Sequence, residues 1–222
     1  MVRNRAEQEA QRKRRQEFDA KMKSLTARFN IPDPRVFSGT FAGDDSPESR
    51  ISGVCRRYVE HWDEMRAEGM GLLFYGSVGT GKTFYASAIV SALLEQSVPA
   101  AVTSFPRLLN LLQNASDRQG LIDHLDQYKL LVVDDLGVER DSSYAAEQVY
   151  AVIDGRSRSG LPLIVTTNLT MEELQKPMSM QYARIYDRIL EMCPVHLLLA
   201  GESRRAGSAQ RRVELARSLL RE

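Results

Sequence analysis

Only two cysteines, Cys55 and Cys193, occur in the 222 residues. Two cannot make a disulfide framework or a zinc site with four cysteine ligands, so reduced thiols in a cytoplasm are the expectation. No apolar run approaches the roughly 18 residues that a spanning helix needs. The opening Met1-Val2-Arg3-Asn4-Arg5 leads into charge rather than an apolar signal core. A cytoplasmic location and no membrane partner are therefore predicted. Net charge is also nearly absent, at +1, yet it is unevenly spread. Residues 1–35 carry ten Lys/Arg against five Asp/Glu, and residues 201–222 carry six Arg against three Glu, which leaves residues 36–200 at −7. Basic ends on an acidic body suggest that the ends meet an acidic partner, nucleic acid or protein. Basic helices that are merely solvated are the competing reading.

What is present suits a folded domain with appendages: 43% of residues are hydrophobic and 27% charged, enough for a core and against wholesale disorder. Residues 4–29 read as one helix with Phe18, Met22, Leu25 and Phe29 on one stripe, beside the basic run Arg12–Arg15. Ile31-Pro32-Asp33-Pro34 breaks it, and residues 38–47 read as loop. This divides the chain into a basic helical arm for partner binding at 1–45, a main domain at 46–205 and a basic helical tail at 206–222. Within the main domain a helix is predicted at about 48–67. Short apolar runs at 71–75, 100–104, 130–133, 163–167 and 195–199 then alternate with helical segments. Such alternation predicts an α/β fold with a parallel sheet covered on both faces.

The segment Gly76-Ser77-Val78-Gly79-Thr80-Gly81-Lys82-Thr83 fits the phosphate-binding pattern G-x-x-x-x-G-K-[ST]. It follows a predicted strand and opens a predicted helix, as that chemistry requires. Its glycines let backbone N–H groups approach phosphate oxygens, and the helix N-terminus adds partial positive charge. All eight residues are assigned to ATP. Lys82 should be solvent-reachable and should reach the β- and γ-phosphates; the Thr83 hydroxyl should ligate Mg²⁺. A glycine-rich turn with a surface lysine is the alternative.

Leu130-Leu131-Val132-Val133 ends in Asp134-Asp135. Two carboxylates at the end of a buried strand are costly without a cation or a solvent mouth. Asp134 is the expected Mg²⁺ partner and Asp135 the group that polarises the attacking water, with a turn or helix cap as the alternative for Asp135. Thr166-Thr167-Asn168 ends another apolar run, where Asn168 either orients the water or is a simple turn residue.

With these sites in order, and with Arg184-Ile185-Tyr186-Asp187-Arg188-Ile189 and Gly201-Glu202-Ser203-Arg204-Arg205 following, the chain resembles AAA+ ATPases. More narrowly it is similar to the DnaC-type helicase loaders and the IstB-type helper ATPases, over about residues 70–205. The resemblance implies a three-layer domain with strand order 5-1-4-3-2 and a minimal lid. It implies Arg184 as a finger that reaches a neighbouring copy's nucleotide, with Arg188 on the same helical face. Arg205 is implied as a sensor arginine, with Arg204 as the fallback. Surface pairing of Arg184 and Arg188 with Asp187 or Glu191 is the plain alternative. The implied function is ATP-dependent loading of a replicative helicase onto single-stranded DNA by a homo-oligomer. The alternatives are a transposition helper ATPase, a small-molecule kinase and a nucleotide-gated module that barely hydrolyses. Asp135 departs from the Asp-Glu pair of many relatives, which suggests slower water activation. For DNA, residues 104–127 offer Phe105, Arg107 and Arg118, although the leucines there show that much of the segment is core.

Overall fold

The structure, a computed structural model, describes residues 2–34, 36, 39–137, 143–177, 179–201 and 203–220. Helices α1 (Val2–Phe29), α2 (Arg50–Glu60) and α3 (Trp62–Ala67) precede the first strand, β1 (Leu72–Tyr75). Then follow α4 (Lys82–Glu95), β2 (Ala100–Ser104), α5 (Phe105–Asn114), α6 (Arg118–Leu125) and β3 (Leu130–Leu136). The remainder is α7 (Ser143–Arg158), β4 (Leu163–Thr167), α8 (Met171–Gln175), α9 (Met180–Met192), β5 (Val195–Leu198) and α10 (Arg204–Leu220). Among the described residues five strands form one sheet, β2-β3-β4-β1-β5, with every pairing parallel. That is the expected order 5-1-4-3-2. No described helix is long and apolar enough to cross a membrane.

Three layers follow from the two-residue period of the strands. Leu72, Phe74, Val102, Leu130, Val132 and Ile164 face a core shared with α2, α3 and α4. Leu73, Leu131, Val133, Leu163 and Val165 face a second core shared with α5, α6, α7 and α9. Central strands buried on both faces explain the unbroken apolar runs in the sequence. Arg156 joins the strand starts. It is 2% exposed and donates to the carbonyls of Leu125, Tyr128, Lys129 and Pro162, with Asp126 Oδ1 at 3.4 Å. Burial lowers its pKa to about 10.

Part of α1 packs on the main domain. The stripe on α1 is consumed by the protein's own core: Phe18, Leu25 and Ile31 are buried, with Met22 and Phe29 packed beside them. His124 Nε2 donates to the Leu25 carbonyl at 2.9 Å. Asp33 N donates to Val102 O at 2.8 Å, alongside β2 at the rim of the sheet. Residues 8–17, including Arg12-Lys13-Arg14, stay exposed. Within residues 104–127 the groups offered for DNA have partners in the protein itself. Phe105 is 1% exposed, and Arg107 donates to Asn30 O at 2.5 Å and Ile31 O at 3.4 Å. Arg118 donates to Leu112 O and lies over the Tyr144 ring. Burial takes Phe105 out of reach of a stacking base, while Arg118 remains exposed.

Candidate nucleotide site

The loop 76–81 leaves the end of β1 and turns into α4, whose first residue is Lys82. Gly79 and Gly81 have φ of 81° and 105°, a region that disfavours residues with a Cβ. Contact forbids a side chain as well: a Cβ on Gly79 would overlap Ser203. Thr80 Oγ1 donates to Ser77 O at 2.8 Å and braces the loop. Ser77 and Val78 are exposed at its tip. Lys82 Nζ folds under the loop and donates to Gly76 O at 2.7 Å and Ser77 O at 2.6 Å. It is 5% exposed, which corrects the expectation of a solvent-reachable lysine.

Strand pairing builds the acidic part of the site. Val133 lies opposite Val165 and Leu136 opposite Thr167, so Asp134 and Asp135 together face the single residue Thr166. This is a β-bulge, and Asp135 carries its turn with φ of 60°. The Thr166 hydroxyl donates to Asp134 Oδ1 at 2.5 Å and accepts from Asp135 N at 3.0 Å. Thr83 Oγ1 donates to the same Asp134 oxygen at 2.8 Å. Burial raises the Asp134 pKa, and the two hydroxyls and Lys82 oppose that rise. Asp135 is half-buried, and Asn168 is exposed just past β4.

The remaining candidates lie elsewhere. Arg184 is exposed in a groove of about 290 Å³ between α7 and α9, lined also by Ala146, Glu147, Tyr150 and Gln181. Arg188 pairs with Glu191 at 3.0 Å, as the plain reading of that residue expected, and reaches Asp154 at 4.0 Å. The fallback Arg204 lies at the phosphate loop: Arg204 N donates to Gly79 O at 2.9 Å. The Arg205 side chain lies outside the described residues.

Residues 62–212 match the family model of the IstB-like ATP binding proteins. The chain belongs to that family. Among relatives of this IstB-like protein, the replicative helicase loader DnaI of Bacillus subtilis (strain 168) is 30% identical over 151 residues, 62% of this chain and 48% of its own. The replicative helicase loader DnaC of Escherichia coli (strain K12) is 30% identical over 139 residues, 60% of this chain and 54% of its own. An ATP-binding protein of an insertion sequence in Mycobacterium tuberculosis is 27% identical over 103 residues, 45% of this chain and 41% of its own. The chain thus spans about half the length of the curated relatives it matches. The crystal structure of the DnaC helicase loader has the same fold, with a TM-score of 0.64 at 22% identity over 76% of this chain and 100% of that one. The crystal structure of DnaI gives 0.62 at 24% identity, over 78% and 93%.

For an IstB-like ATP binding protein, the loop that follows β1 and opens α4, with Lys82 beneath it, fits a nucleotide-phosphate site. One hydroxyl and one carboxylate, both hard oxygen donors, converge beside the lysine, a donor set that suits Mg²⁺ shared with nucleotide phosphates. Thr83 and Asp134 would hold the metal, which when bound neutralises phosphate charge. Two features escaped sequence reading. The Thr166 bridge needs the register of β3 against β4, although its threonine lies inside the apolar run that pointed to Asn168. The partners of Arg204 come from residues far away in sequence, and no local signal marks them.

Proposed function

We propose that this chain is an ATP-switched loader that delivers a replicative helicase to single-stranded DNA in the cytoplasm. The observation that carries the reading is Arg184. It is exposed in a groove formed by α7 and α9, where its guanidinium is open to a nucleotide on a neighbouring copy. The helicase-loader relatives support the choice of cargo. ATP lies along residues 76–83, with its β- and γ-phosphates facing the backbone N–H groups and Lys82. Asp135 polarises the attacking water, Asn168 orients it, and Arg184 offsets transition-state charge in trans. Arg204, whose backbone touches the loop, takes the sensor role expected of Arg205. ATP binding therefore closes an interface between copies, and hydrolysis reopens it. The exposed basic half of α1 and the basic tail offer the acidic partner its contacts.

The insertion-sequence relative favours a second reading, a transposition helper that assembles on DNA and recruits a transposase. The test mixes the full chain with the host's purified replicative helicase and a single-stranded DNA substrate. ATP-dependent helicase loading that Lys82→Ala abolishes supports the first reading. No loading, with ATP-dependent capture of a transposase instead, selects the second.

A further inference from the structure

Arg204 is held by more than the phosphate loop. Its Nη1 lies 3.0 Å from Asp45 Oδ1 and 4.0 Å from Asp44 Oδ1, and its Nη2 donates to the Tyr85 hydroxyl at 3.1 Å. The guanidinium also sits over the Tyr85 ring, 5.2 Å from its centroid. On its other side a Cβ placed on Gly81 would come within 3.4 Å of three guanidinium atoms, so the cation lies against the turn of the phosphate loop. The seat is built rather than casual. Tyr85 is 1% exposed and donates its hydroxyl to Asp44 Oδ1 at 3.2 Å, and Ser49 Oγ lies 3.3 Å from the Tyr85 hydroxyl. Asp44 Oδ1 also accepts from Ser46 N at 3.0 Å. The Asp44 side chain is fully buried, and its Oδ2 has no hydrogen-bond partner. A buried carboxylate in that state is stabilised by a nearby cation, and Arg204 supplies one at 4.0 Å.

We propose that Asp45, Asp44 and Tyr85 are positioning residues that hold Arg204 beside the phosphate loop and yield it to a γ-phosphate, so that the seat sets how strongly the protein prefers ATP to ADP. The proposal rests on reading residues 76–83 as the ATP site and Arg204 as its sensor. Three segments meet on this one side chain: the connector before α2, the first turn of α4, and the start of α10. A polyphosphate at the loop competes with Asp45 for the same cation. Asp45 is 59% exposed, so its pairing with Arg204 is weak enough to be exchanged. Withdrawal of Arg204 from the seat frees the connector from α10, which ties the state of the nucleotide to the elements flanking the site.

A double-variant cycle tests this on the full chain by titration calorimetry with ATP and with ADP. Asp45→Asn weakens the seat without touching the buried Asp44. It should tighten ATP relative to ADP by about two- to fivefold, the scale of an exposed ion pair. Arg204→Gln should lower the preference for ATP, and adding Asp45→Asn to it should change nothing further. Equal tightening of both nucleotides by Asp45→Asn, persisting with Arg204→Gln, would show only the field of a deleted charge and overturn the proposal. An ATP-to-ADP ratio unchanged by Asp45→Asn would make the seat purely structural and overturn it too. Failure of the underlying site reading looks different: wild type and Lys82→Ala would then bind nucleotide alike.

Discussion

The Thr166 hydroxyl donates to Asp134 Oδ1 at 2.5 Å while it accepts from Asp135 N at 3.0 Å, so one side chain on β4 holds both residues of the β3 bulge. Thr166→Val keeps shape and β-branching but leaves Asp134 with one hydroxyl fewer and Asp135 N without that acceptor. The expected cost is about 1–3 kcal/mol of stability. A fall in turnover should accompany it, because the bulge sets where Asp135 points. Thr166→Ser should recover most of both. Thermal melts and steady-state ATP hydrolysis check this, and a Thr166→Val protein equal to wild type in both would mean that the bulge is held by the strands alone.

Asp134→Asn and Asp135→Asn should separate. Burial keeps the Asp134 carboxyl above its ordinary pKa. From about pH 3.9 up to that raised value, the folded chain binds a proton that the unfolded chain has lost. Stability therefore falls as pH rises through this window, and at neutral pH the ionised Asp134 is a cost to the fold. Asp134→Asn should melt a few degrees higher than wild type near pH 7.5, with the gain shrinking toward pH 4, and it should lose the Mg²⁺-dependent part of ATP binding. Asp135→Asn suits the φ of 60° and should bind ATP normally but turn over about 10²–10⁴ times more slowly, the range of a lost general base. Equal binding defects in both would reverse the assignment.

The fold was legible because its elements carry local signals. The phosphate loop has a fixed spacing, and the buried strands are uninterrupted apolar runs. Asp117 and Gly120 are such a signal too, since Asp117 Oδ1 accepts from Gly120 N to start α6. The site was legible where one motif supplied everything, and less so where distant segments meet. Lys82 was read as solvent-reachable because a motif says nothing of the carbonyls that bury it. Arg107 was read as a phosphate contact because sequence shows its charge but not that Asn30 and Ile31 present their carbonyls to it. The stripe on α1 marked an amphipathic helix correctly. Periodicity cannot say whether the surface it covers belongs to a partner or to the same chain.

Arg184→Ala should barely disturb the fold, within about 0.5 kcal/mol, since the side chain is exposed. Nucleotide affinity of the isolated chain should stay near wild type while hydrolysis in assemblies drops, with about 10³–10⁵ as the ceiling for a fully used finger. Mixing decides whether it acts in trans. Chains carrying Lys82→Ala should partly rescue chains carrying Arg184→Ala, because some mixed interfaces still contain one intact site. Absence of rescue at every ratio would confine Arg184 to its own subunit.

Two truncations of the arm should give opposite results. Removal of residues 1–14 takes away Arg12-Lys13-Arg14, which are exposed, and keeps Arg15, whose guanidinium donates to Leu94 O at 3.0 Å. This form should melt and bind ATP like the full chain. Removal of residues 1–35 also takes Phe18, Leu25 and Ile31 from the core and Asp33 from its place beside β2. Leu25→Ala alone should cost about 2–5 kcal/mol if the site cannot collapse, so the longer deletion should lower the melting temperature sharply and favour aggregation through β2. Loss of partner binding in that form would then report damage to the fold rather than a missing contact. The clean test of the arm as a docking element is Arg12→Glu with Lys13→Glu and Arg14→Glu, which leaves every buried residue in place. Weaker binding to the helicase or to single-stranded DNA, with ATP affinity intact and the difference fading at high salt, would place the acidic partner on the first half of α1. Unchanged binding would leave that half a solvated extension and move the basic contact to α10.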